Sequence, residues 1–178
     1  MSRVGKAPIT VPSGVKVSVE GDTVAVEGPK GKMQHRLGAH VTARLENGIL
    51  LVECGGNSRQ ARSNHGTNRS IINNMVVGVV DGWKQSLELN GVGFTAQLNG
   101  KTLVLATGYS HKTEITIPSE VTCKTEKQKV ELESADKRLV GELAAKIRKV
   151  CPPEPYLGKG IKYADEVVRR KAGKAGAK

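Results

Sequence analysis

A gapless shift of eighty residues lays one half of this chain over the other: Val24 falls on Val104, Gly28 on Gly108, Lys32 on Lys112, Val41-Thr42 on Val121-Thr122, Glu46 on Glu126 and Glu53 on Glu133. The identities are few, but the order of hydropathy patterns repeats with them. In the first half Val15, Val17 and Val19 alternate toward a Gly21-Asp22 turn, and Val24 and Val26 follow it. Asn47-Gly48 then separates two strand-like runs in RLENGILLVE, a hairpin signal because both residues tolerate positive φ. From about Ser58 to Val80 the apolar and small residues Ala61, His65, Asn68, Ile72, Met75, Val76 and Val79 recur three or four apart, which predicts a helix.

The second half has the same order. Strand patterns run through Leu87 and Leu89, Phe94 to Leu98, an Asn99-Gly100 turn, Leu103 to Ala106, Ile115 and Ile117, Val121 to Thr125, and Val130 to Glu133. A helix is expected from about Asp136 to Val150, with Leu139, Val140, Leu143, Ala144, Ile147 and Val150 on one face. Ser134 or Asp136 is available as its cap, and Pro152-Pro153 ends it. The expected fold is therefore α+β: two tandem, similar domains, each an antiparallel β-sheet packed on an α-helix, plus a basic C-terminal extension. The boundaries implied are 1–82, 83–152 and 153–178, and the alternative is one continuous β-rich domain. Halves of roughly 80–90 residues bury modest cores and gain from packing on a partner.

Charge indicates what that partner is. Among 178 residues there are 28 Lys+Arg against 17 Asp+Glu, a net +11, so the surface favours a polyanion, the alternative being a merely basic soluble protein. A membrane is a weaker match, since the most apolar run, IINNMVVGVV, holds two asparagines and is far short of the ~20 residues a span needs. No signal peptide is expected, and three widely spaced cysteines, Cys54, Cys123 and Cys151, suit reduced thiols in the cytoplasm. His35, His40, His65 and His111 make no metal-ligand spacing, and no serine or cysteine lies in a nucleophile signature. GPKGK at Gly28, GYSHKT at Gly108 and GVGF at Gly91 lack the phosphate-loop and dinucleotide spacings and are expected to be turns. No enzyme, metal, cofactor or small-molecule substrate is expected.

Two segments carry the donors that phosphate oxygens take. GNSRQARSNHGTNRS offers Arg59, Arg62 and Arg69 among Ser58, Ser63, Asn64, Thr67 and Asn68, and the first helical turns are polar nearly all round, a poor surface for self-packing. His65 in this segment has two readings, a histidine bonded within the helix and a nucleic-acid contact. In PEPYLGKGIKYADEVVRRKAGKAGAK, Gly158 and Gly160 are expected to let the backbone approach a bulky partner. Lys159 and Lys162 supply charge there, and Tyr156 and Tyr163 flat rings. This reads as a contact loop outside the core, followed by a short helix with Asp165–Arg169 and Glu166–Arg170 pairs and a basic tail through Lys171 and Lys174. Folded RNA is the expected partner rather than DNA, because no helix-turn-helix, zinc-finger or zipper pattern occurs and aromatic content is only 3%. A free-standing chaperone or DNA-binding module is the competing class.

The stretches MSRVGKAPITVPSGV, VEGPKGK, HGTNRSIINNMVVGVVDGW, GVGF and ELESADKRLVGELAAKIRKVCPPEPYLGKGIKYADEVVRRKAGK resemble the bacterial large-subunit ribosomal protein L-six family, over essentially the whole chain. One departure is Leu157, where that family usually has Lys. The resemblance implies two α+β domains, no catalysis, and direct binding to 23S rRNA in the large subunit. It also implies a place beside neighbouring ribosomal proteins at the base of the stalk that recruits translational GTPases, near the sarcin–ricin loop. By the same resemblance, the C-terminal domain and tail make much of the rRNA contact, and Tyr156 to Lys174 are read in that way.

Overall fold

Short strands joined by glycine turns and closed by one helix form each half of the chain. In the computed structural model, which describes residues 2–173, the first half contains β1 (Ile9–Thr10), β2 (Lys16–Glu20), β3 (Thr23–Gly28), β4 (Gly31–Arg36), β5 (Val41–Glu46) and β6 (Ile49–Cys54), then α1 (Arg59–Val80). The second half contains β7 (Trp83–Asn90), β8 (Thr95–Asn99), β9 (Thr102–Ala106), β10 (Thr113–Thr116), β11 (Thr122–Glu126) and β12 (Lys129–Ser134). Helix α2 (Lys137–Val150) and β13 (Gly160–Tyr163) complete it. Two compact units result, one running to Trp83 and taking in Ala135–Lys137, the other running from Lys84 to Ser134 and onward from Arg138.

In the first unit β2-β3-β4 form one antiparallel sheet and β1-β6-β5 another. The hairpins close on left-handed residues, Gly21 (φ 56°) between β2 and β3 and Asn47-Gly48 (φ 50° and 76°) between β5 and β6, where Glu46 pairs with Ile49. Helix α1 packs against β3, β4, β5 and β6. Alternation turns Val24 and Val26 inward, and they join Ile9, Leu50, Ile72, Met75 and Val79 in one core. Each such burial stabilises by about 1.5–3 kcal/mol.

The second unit has the same plan: β8-β9-β10 form one antiparallel sheet, and β12 lies between β11 and β7 as β6 lies between β5 and β1. Leu87, Leu89, Leu103, Leu105, Val130, Leu132 and the α2 residues Val140, Leu143, Ala144 and Ile147 are buried. The fold is thus α+β, with a duplicated sheet-and-helix unit. Strand β13 is an addition on the edge of β7, with Ile161 opposite Leu89 and Tyr163 opposite Leu87. The expectation that 153–178 lies wholly outside the core is corrected here: Ile161 is fully buried, because an edge strand of this sheet has one face on the core.

The first turns of α1, polar nearly all round, nevertheless bury Ala61, His65 and Asn68, which lie on the stripe whose spacing predicts the helix. Ser58 caps it, its hydroxyl accepting from Ala61 N–H at 3.0 Å. Asn68 is buried, its Oδ1 lying 2.8 Å from His35 Nε2 and accepting from Gly38 N–H, while its Nδ2 donates to Asn64 O at 2.7 Å. Polar side chains can pack densely when their hydrogen-bonding atoms have partners, and Asn68 is satisfied that way.

Candidate nucleic-acid interface

The two prolines after α2 end it, and the chain then doubles back on itself. Glu154 N–H donates to Lys159 O at 2.9 Å and Ile161 N–H to Cys151 O at 2.7 Å, so residues 154–160 form a closed loop feeding β13. Both glycines in that loop serve its own closure. A Cβ on Gly160 (φ 138°) would lie 2.6 Å from Pro152 O, and a Cβ on Gly158 (φ 75°) would meet the Arg170 guanidinium at 3.0 Å. Sequence reasoning assigned that space to a partner, whereas both glycines are buried and the chain itself fills it. Lys171 N–H donates to Pro155 O at 2.7 Å, which ties residues 170–171 to the loop. What remains on the surface is Tyr156 (55% exposed), Leu157 (64%), Lys159, Arg169, Arg170 and Lys171. Lys174 lies outside the described residues.

Lys162 and Tyr163 lie apart from this cluster, on β13. Lys162 Nζ is 3.1 Å from Glu88 Oε2 across the strand pair, with both side chains largely covered, so its charge is matched within the protein. The short helix expected around the Asp165–Arg169 and Glu166–Arg170 pairs does not form. Glu166 instead accepts two bonds from Arg148 of α2, from Nε at 2.7 Å and from the terminal nitrogen at 2.5 Å, and a third from Tyr163 N–H at 3.2 Å. A bidentate charge-assisted pair outweighs the few tenths of a kcal/mol that an i,i+4 pair offers a short helix. The Arg148 hydrogen bonds hold the Glu166 carboxyl below its ordinary pKa, with the Tyr163 amide adding to them against desolvation. Arg148 also lies over the Tyr163 ring, 5.7 Å from its centroid. Sequence reasoning missed Arg148, a positioning residue whose partner is eighteen positions away and carries no local signal.

On α1, Arg59 and Arg62 are exposed. Arg69 is half-buried and donates to two backbone carbonyls, Ala7 O at 3.1 Å and Pro8 O at 3.2 Å, which fastens the N-terminal segment to the helix. His65 is 1% exposed, with Nε2 2.9 Å from Val52 O and its ring against Gly5, where a Cβ would come within 2.5 Å. The ring is thus bonded to a carbonyl of β6 rather than within its own helix, and it is buried away from the surface.

The exposed donors therefore form two groups. One is a braced loop with Tyr156, Leu157 and Lys159 together with the cations of 169–171, and the other is a helical patch with two arginines. Phosphate contacts suit the cations and sugar or base faces suit Tyr156. Among the described residues no group of three or more His, Cys, Asp or Glu side chains stands close enough to hold a metal ion, and no helix is long and apolar enough to cross a membrane.

A family model described as ribosomal protein L6 matches this chain twice, over residues 11–82 and 90–164. The large ribosomal subunit protein uL6 of Methylacidiphilum infernorum is 48% identical over 179 residues, covering 100% of both chains. The protein of the same description from Salinispora arenicola is 47% identical over 180 residues, again covering 100% of both. That of Caldicellulosiruptor saccharolyticus is 46% identical over 177 residues, 99% of this chain and 97% of the relative.

Proposed function

This chain belongs to the ribosomal protein L6 family, and from that premise we propose that it binds 23S rRNA directly, through the loop at 154–159 and the cations at 169–171. As a member of that family it is a structural constituent of the large ribosomal subunit, located with the ribosome in the cytoplasm, and not an enzyme. The observation that carries the reading is the bracing of one exposed loop, which carries Lys159, by a cation-rich segment, through Arg170 over Gly158 and the Lys171–Pro155 bond. A loop ordered before it meets RNA loses little conformational entropy on binding.

Lys159, Arg169, Arg170 and Lys171 neutralise phosphates, and Tyr156 packs on a ribose or base. Arg59 and Arg62 form a separate, smaller contribution from α1. Lys162 and Tyr163 hold β13 in place and act through the loop it anchors. The reading extends to a seat at the stalk base near the sarcin–ricin loop, beside other large-subunit proteins and the site of translational GTPases, and this part is supported by the family resemblance.

Chemical footprinting of large-subunit rRNA with and without the protein tests both parts. Protection confined to a few helices that include the sarcin–ricin region is expected. Weak protection spread over many helices would instead identify a free-standing nucleic-acid chaperone.

A further inference from the structure

Three residues of the HGTNR run on α1, His65, Gly66 and Arg69, hold the segment 2–8. Gly5 lies on the face of the His65 ring, where a Cβ would come within 2.5–2.6 Å of three ring atoms. Ser2 covers Gly66, where a Cβ would lie 3.0 Å from the Ser2 hydroxyl. That hydroxyl accepts from Gly5 N–H at 3.3 Å, and the Lys6 and Ala7 N–H groups donate to Ser2 O and Val4 O at 3.2 Å, which winds the segment into a turn. Arg69 fastens its far end through Ala7 O and Pro8 O.

This clasp has no aliphatic anchor. Between Ser2 and Pro8 only Gly5 is buried, and Val4 is 53% exposed. Two costs oppose closure. A carbonyl only accepts, so His65 Nε2 donates to Val52 O, and Nδ1 is left as a buried acceptor with no hydrogen-bond partner among the described residues. Lifting Gly5 uncovers that ring to water, which supplies the missing donor. Closure also sets exposed Arg3 and Lys6 near Arg62, which lines the same groove as Ser2 and Val4, and neither 2–19 nor α1 contains a carboxylate to offset them. Segments with few buried contacts open locally, and a ligand that binds the closed form alone shuts them by mass action. We propose that residues 2–8 are a strap that opens from α1 and closes on it as a unit, and that a phosphate chain lying along Arg3, Lys6 and Arg62 holds it shut. The coupling rests on the reading of this chain as an rRNA-binding protein and makes order in the strap a consequence of that binding.

Native-state hydrogen exchange of the full-length protein, with and without large-subunit rRNA, tests this. In the free protein the amides of Gly5, Lys6 and Ala7 should open together, at least about a hundred-fold more often than those of β3, and low urea should leave that opening unchanged. Gly5→Ala, which keeps the segment off the ring, should remove their protection while β3 keeps its own. Arg69→Ala, which introduces no clash, should act in the same direction. With rRNA at about ten times its Kd, opening of the wild-type strap should fall about ten-fold, and that fall should vanish in Arg3→Ala/Lys6→Ala. Strap and β3 amides that exchange only together, or that lose protection equally in both Gly5→Ala and Arg69→Ala, would make the segment a fixed part of the first unit and overturn the proposal. Strap exchange that rRNA leaves unchanged, or slows equally in the Arg3→Ala/Lys6→Ala protein, would overturn it too, provided that the Lys171 amide bonded to Pro155 is slowed. If rRNA slows neither the strap nor Lys171, the rRNA-binding reading falls and the coupling with it.

Discussion

Single residues in the C-terminal segment divide into those that hold the loop and those that it presents. Gly160 belongs to the first kind, since a Cβ there would lie 2.6 Å from the Pro152 carbonyl oxygen at a φ of 138°. Gly160→Ala should therefore cost about 2 kcal/mol or more in urea denaturation, while Lys159→Ala should leave stability within about 0.5 kcal/mol of wild type. Equal stabilities of the two variants would contradict this division. Glu166 has a pH signature. Its folded pKa is depressed by the Arg148 hydrogen bonds, so the stability it contributes is complete above the unfolded value of about 4.3 and is lost as pH falls through the folded value. Glu166→Gln should cost about 1–3 kcal/mol at pH 7, and the gap from wild type should close as pH is lowered from about 5 toward 3. A gap that is constant across that range would mean that the carboxylate charge contributes nothing.

Elements record what a sequence can and cannot reveal. The duplicated strands and both helices were legible because alternation and 3.6-residue spacing are local signals, as Val24 and Val26 on β3 and Val140, Leu143 and Ile147 on α2 show. Strand β13 was hidden because GKGIKY has one buried aliphatic side chain and two glycines, and its place depends on pairing with β7 some seventy residues earlier. Truncation of the glycine-rich segment therefore removes core as well as charge. Ile161→Ala should cost about 2–5 kcal/mol by denaturation, a loss well under 1 kcal/mol being incompatible with its burial. The first turns of α1 carried two signals, since spacing put His65 and Asn68 on the inner stripe while polarity offered them as contacts. Hydropathy counts Asn68 and His65 as surface, whereas their hydrogen bonds to His35, Gly38, Asn64 and Val52 make them interior. Asn68→Ala should accordingly destabilise by about 1–3 kcal/mol, measured by thermal or urea unfolding, because it strands the Gly38 amide.

At the scale of the whole molecule, a net charge of +11 is distributed unevenly in its usefulness. Lys162 is matched by Glu88, Lys32 by Glu27 and Arg148 by Glu166, so the count of 28 Lys+Arg overstates how many cations are available to a polyanion. Composition showed the sign of the partner's charge, and only the fold separates the presented cations from the paired ones. The most direct test is a salt series of large-subunit rRNA binding by wild-type protein and by Lys159→Ala/Arg169→Ala/Lys171→Ala, with Lys162→Ala and an unrelated structured RNA as comparisons. The triple variant should lose about two to three units of salt slope and its preference for the ribosomal RNA, while Lys162→Ala should lose much less than one. A triple variant with the wild-type slope, or an equal loss on the unrelated RNA, would contradict direct and specific rRNA binding by this loop.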